Sequence, residues 1–258
     1  MTPLIKTRLN NIQKICLCGF FIALTTILQK VVAINYVAII PFLRLSLGGP
    51  ALIIFSSIFL GPIYGLLTGL ASDILGYFLL DMSSFAFFPQ ITAIYGLLGL
   101  LPYFVFYLFK KIKNDKLLFV LQIIFMSALF LFVSLFIIFV PSITLYSKTY
   151  TFDTTQKILI PLILFFLFAF LIVFISILNK KYHNQHFPVS INNITFSCFI
   201  LELLVMVIFG SIMKGFAFGF QTYPAILITQ IVVLFFNIPL NSVFIILFLK
   251  LTQRFYYQ

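Results

Sequence analysis

The stretch Gly61-Pro62-Ile63-Tyr64-Gly65-Leu66-Leu67-Thr68-Gly69-Leu70-Ala71-Ser72-Asp73-Ile74-Leu75-Gly76-Tyr77 decides how this chain folds. Gly61-Pro62 closes one apolar run and opens another. Proline suits the first turn of a helix, where its missing N–H would have no partner in any case. From there Gly61, Gly65, Gly69, Asp73 and Tyr77 recur every four residues, with Ser72 and Gly76 close to the same face. Glycines at that spacing let a neighbouring backbone come close, so packing is the plain reading of Gly65 and Gly69. A close-packed lower half below a polar upper half also makes the floor and wall of a pocket. Asp73 sits about 16 Å along the run at 1.5 Å per residue, near the middle of a bilayer.

The composition explains why a bilayer is the right frame. Of 258 residues, 63% are hydrophobic and 8% charged. A soluble domain carries about 25% charged residues. Such a chain cannot cover its surface in water, which excludes a cytosolic enzyme or a nucleic-acid binder. Sixteen Lys and Arg against five Asp and Glu give +11, read as basic loops facing anionic lipid. Cys16, Cys18 and Cys198 all lie in apolar runs and form neither a disulfide framework nor a metal pattern. The abundance of Phe, 36 residues, reads as compositional bias and by itself points to no function.

A helix needs about 20 apolar residues to cross the hydrocarbon core. That ruler predicts an all-α integral membrane bundle with eight spans, roughly 15–33, 47–61, 62–80, 88–109, 117–140, 158–178, 191–213 and 222–249. They form one transmembrane domain over 1–258, with the short second span in a tight hairpin with the third. Lys6, Arg8 and Lys14 precede the first run as in a signal peptide, but the run is too long and no cleavage site follows. It reads as an uncleaved first helix.

Charge sets the expected sidedness. With the N-terminus inside, the inner segments hold Lys6, Arg8, Lys14, Lys110, Lys111, Lys113, Lys116, Lys180, Lys181, Lys250 and Arg254. The outer segments hold Lys30, Arg44, Lys148, Lys157 and Lys214. This bias places both termini in the cytoplasm of a multi-pass cell-membrane protein.

Catalytic parts are missing from the sequence. It has no G-x-x-x-x-G-K-[ST], no H-E-x-x-H and no G-x-S-x-G. His183 and His186 stand beside Lys180 and Lys181 and read as a solvated basic loop. The chain is expected not to be an enzyme and to need neither cofactor nor metal.

Ionisable groups inside a bilayer are costly and so are functional candidates. Asp73 and Glu202 are the two mid-span carboxylates, each with a helix–helix hydrogen bond as the bland alternative. The first outer loop, 34–49, mixes apolar residues with Arg44 and suits a lid. The second, 81–90, holds Phe85, Phe87, Phe88 and Pro89, either as membrane anchors or as a site for a flat ring. Gly19-Phe20-Phe21-Ile22-Ala23 offers a small-residue docking surface for another helix.

Arg44-Leu45-Ser46-Leu47-Gly48-Gly49-Pro50, Gly61–Gly69, Ser72–Tyr77 and Phe87-Phe88-Pro89-Gln90-Ile91-Thr92 resemble the substrate-binding S components of energy-coupling factor (ECF) vitamin transporters. The folate type is the closest match, with the pantothenate type nearby. The resemblance implies a six-helix membrane protein that binds its vitamin from outside. It also implies docking on a transmembrane coupling protein driven by two cytoplasmic ATPases. Gly19 and Ala23 match the docking motif, with Gly where the family usually has Ala. Residues 1–110 then hold the first four helices of the core, 111–190 an inserted helix pair, and 191–258 the last pair.

On this reading the site holds Arg44, Asp73, Tyr77, Phe87, Phe88 and Lys214. The expected ligand is folate or a reduced folate. Its pterin presents adjacent N–H donors to Asp73, its ring stacks on aromatics, and its two carboxylates meet outer cations. Gln230 and Asn237 are the polar groups of the last span, where a folate binder is expected to carry a basic residue. Pantothenate or another vitamin is the alternative substrate. A lipid enzyme and a membrane scaffold are the alternative classes.

Overall fold

A computed structural model describes residues 9–32, 34–37, 40–45, 48–81, 87–112, 114–145, 148–182 and 190–252. The first half runs α1 (Asn11–Lys30), β1 (Ile34–Val37), β2 (Ile40–Leu45), α2 (Gly49–Leu60), α3 (Pro62–Gly76) and α4 (Pro89–Lys110). A wide π-helical turn, Tyr77–Asp81, prolongs α3. The second half runs α5 (Asp115–Phe139), β3 (Ser142–Leu145), β4 (Lys148–Thr151), α6 (Thr154–Tyr182), α7 (Ile191–Leu201), α8 (Gly210–Phe218) and α9 (Tyr223–Thr252). A π-helical stretch, Glu202–Phe209, joins α7 and α8 into one rod.

Among the described residues seven helices are long and apolar enough to cross a membrane. The second expected span is different. Helix α2 has 12 residues, every one of them buried. It is about 18 Å long at 1.5 Å per residue, short of a hydrocarbon core of about 30 Å. It is a core helix with no lipid face, which is why its sequence is apolar on all sides. Two glycines set its ends. Gly48 has φ 83 before it and Gly61 has φ 111 after it, conformations that favour glycine.

Helix α3 packs on α4 backbone to backbone. A Cβ at Gly65 would strike the carbonyl oxygen of Gly99, and one at Gly69 would strike that of Tyr95. The four-residue glycine period is therefore a packing face, as its spacing predicts. Pro102 interrupts the hydrogen-bond ladder of α4, and the next N–H, of Tyr103, donates to Ser57 Oγ of α2 at 3.3 Å.

Among the described residues the two larger parts of the core share α7 and α9. One joins them to α1, α2, α3 and α4, with residues such as Phe21, Phe55, Ile94, Cys198 and Ile245. The other joins them to α5 and α6 through Leu118, Met126, Leu164, Phe199 and Phe235. Hydrogen bonds tie the start of α5 to the start of α7. Ser190 Oγ donates to Asp115 Oδ1 at 2.7 Å, and Asn192 Nδ2 donates to the Asp115 carbonyl at 3.2 Å. The chain thus leaves on α5 and comes back beside its point of departure.

Two segments expected on the outside, the first outer loop and the stretch that carries Lys148, form antiparallel hairpins. In the first, Asn35 pairs with Arg44 and Ile34 with Leu45. In the second, Ser142 pairs with Thr151 and Leu145 with Lys148. A short strand pair satisfies its own backbone groups, which a bare loop at the membrane surface would leave to water.

Candidate functional site

Asp73 is 5% exposed and faces α4. Its Oδ2 accepts from Thr92 Oγ1 at 2.7 Å. Tyr77 lies one helical turn further along α3, with its ring centroid 5.2 Å from that of Phe87. Phe87 also stands 5.7 Å from Phe78. Phe88 turns the other way and meets Phe218 at the end of α8 edge-on, at 4.9 Å. An aromatic layer thus links α3, α4 and α8, with Tyr77 one turn beyond Asp73 and Phe88 one turn before Thr92. Lys30 of α1 lays its aliphatic stem across Gly76, three residues beyond Asp73.

Of the residues expected to form a site, Asp73, Tyr77 and Phe87 come together. Phe88 caps the same region from the α8 side. Lys214 stands on α8 and acts through space on the carboxylate of Glu202. Arg44 belongs to β2, which lies against α9, and its backbone faces Asn35. The Arg44 side chain lies outside the described residues, as does Phe85.

A second polar centre was not legible as such. Glu202 is 1% exposed where the π-helical stretch begins. Its Oε1 accepts from Asn241 Nδ2 at 2.6 Å and from Asn237 Nδ2 at 3.5 Å. Ser242 lies against the Cys198 thiol beside them. Gln230 and Asn237 are the polar groups expected in the last span. Asn241 and Ser242 are polar and buried there too. The signal that finds this centre is the four-residue spacing of Asn237 and Asn241, which puts both amides on one helix face.

The small-residue motif expected to dock on a partner lies on the exposed face of α1. Gly19 and Ala23 are exposed, in one stripe with Ile12, Ile15, Phe20 and Ile27. Cys18, Phe21, Thr25 and Gln29 occupy the buried side. A Cβ at Gly19 would meet nothing within 4 Å. The pair α5–α6 packs on α7 and α9, away from this stripe. Among the described residues no three His, Cys, Asp or Glu side chains gather as a metal site would require.

Residues 9–183 match the family model described as ECF-type riboflavin transporter, S component. That match takes in α1 to α6 and stops before α7, although α7 and α9 complete the core around α1–α4. No curated protein and no solved structure matches the chain. The matched stretch covers well over half of the 258 residues. An apolar multi-helix membrane bundle is what such a transporter subunit requires. The chain belongs to the ECF-type riboflavin transporter S-component family.

Proposed function

We propose that the chain binds a flat-ringed vitamin beneath its first hairpin and delivers it to an ATP-driven ECF module. The observation that carries this reading is the aromatic layer one turn from Asp73 and Thr92. Tyr77, Phe87, Phe88 and Phe218 offer ring faces and edges, and Asp73 a buried carboxylate. Rings stack on such surfaces, and a carboxylate accepts the N–H of a heterocycle. The family description names riboflavin, so riboflavin is the first ligand to test. Folate or a reduced folate, expected from the sequence, is the second. Its dianionic tail would call on Arg44, Lys30 and Lys214, the cations assigned to the outer side.

The sidedness that charge predicts puts both termini in the cytoplasm and both hairpins outside. The exposed stripe around Gly19 and Ala23 is then the face that seats on the coupling protein. The pair α5–α6 is an addition to a six-helix core made of α1–α4, α7 and α9. The packing of the two core parts supports this division.

Titration of the purified chain with riboflavin, folate and pantothenate tests the ligand. Saturable quenching of flavin fluorescence at stoichiometric concentrations is the expected result. Tight binding of folate alone would restore the folate reading. Binding of pantothenate but of neither ringed vitamin would overturn the role given to the aromatic layer.

A further inference from the structure

The Glu202 centre holds two buried amide oxygens that meet no donor. Both asparagine amides spend an N–H on Glu202 Oε1. The other end of each amide, Asn237 Oδ1 and Asn241 Oδ1, is buried with no hydrogen-bond partner. Asn237 is 5% exposed and Asn241 1%. Each Oδ1 shares one carbon with the Nδ2 that meets the carboxylate, so each lies within an amide's width of that contact. Lys214 offsets part of the charge through space, yet the two carbonyl oxygens remain unpartnered. Leaving a polar group unpaired in an apolar interior costs about 1–3 kcal/mol.

The geometry points to a sodium ion held among Glu202, Asn237 and Asn241 in the middle of the bundle. The ligand atoms are all hard oxygens, one carboxylate and two amide carbonyls. That set selects an s-block cation over a transition metal. A single carboxylate whose charge Lys214 already offsets in part favours a monovalent ion over calcium or magnesium. The cation takes the lone pairs that the amides leave unused, while their N–H groups keep the carboxylate in place. The wide π-helical turns begin at Glu202 itself, and such turns recur at functional sites. The inference does not depend on which vitamin binds.

The test is thermal melting of the full-length purified chain, without vitamin, in sodium, potassium and N-methyl-D-glucamine chloride at equal ionic strength. Replacing N-methyl-D-glucamine with sodium should raise the melting temperature saturably, and potassium should do less. In Asn241→Leu, which keeps the charge but removes one ligand, the sodium midpoint should rise at least tenfold. In Glu202→Gln the response should vanish. Asp115→Asn, at the far end of the bundle, should respond like wild type. Equal melting of the wild type in sodium and N-methyl-D-glucamine overturns the inference. So does a melting temperature that follows pH but not sodium, which would put a proton there instead.

Discussion

Thr92 on the first turn of α4 donates its hydroxyl to Asp73 on the last turn of α3, at 2.7 Å. This bond joins the two helices that already pack backbone to backbone through Gly65, Gly69 and Gly99. It gives Asp73 two possible jobs, strut and ligand acceptor, and these separate by measurement. Thr92→Val removes the donor and leaves the carboxylate. Loss of this buried bond should cost about 1–3 kcal/mol and lower the melting temperature. Asp73→Asn should weaken vitamin affinity by tens to thousands of fold, roughly 2–5 kcal/mol, if the carboxylate holds the ring. Affinity close to wild type, with a lowered melting temperature, would leave Asp73 as a strut alone.

The glycine face permits a sharper test of packing. Gly69→Ala would drive a Cβ into the Tyr95 carbonyl, a backbone atom that cannot step aside without moving α4. Overpacking of this kind costs about 1–3 kcal/mol, occasionally more. Gly19→Ala, where a Cβ meets nothing, should melt like wild type. Equal melting of the two variants would mean that α3 and α4 are not in contact as described.

Docking on a partner should be separable from ligand binding. Ala23 is exposed on the outer stripe of α1. Ala23→Phe should leave vitamin affinity of the isolated chain unchanged and abolish uptake by cells that supply the ECF module. Loss of binding in the isolated chain would show that Ala23 packs inward.

Arg44 tests the lid. Arg44→Ala should weaken binding of a dianionic vitamin more than Arg44→Lys does, because lysine keeps the charge but not the planar fork. Binding of folate unchanged in Arg44→Ala would shift the role to Lys214 or Lys30.

Much of this architecture was readable from residue order, because hydropathy marks spans wherever lipid is the solvent. The boundary at Gly61-Pro62 and the glycine face of α3 are local signals and needed no tertiary information. The buried course of α2 was harder to see, since a wholly apolar helix reads alike whether lipid or protein surrounds it. The hairpins were read as loops because strands of four to six residues carry too little pattern. The centre at Glu202 depends on residues 35 and 39 positions away on another helix, and packing alone brings them together. Phe87 and Phe88 are neighbours in sequence, yet their rings turn to α3 and α8 respectively.

The π-helical stretch also governs angular register. An ordinary helix advances 100° per residue, at 3.6 residues per turn. Wider turns advance less, so each residue after Phe209 is rotated from where a helical wheel drawn from Ile191 would put it. Gly210, Ser211 and Gly215 come to lie inside the bundle, and Lys214 is half-buried near Glu202. A one-residue deletion within 202–209 would swing α8 about its own axis by roughly a quarter turn or more. It would carry Lys214 and Phe218 away from their neighbours and leave the apolar composition of the span unchanged.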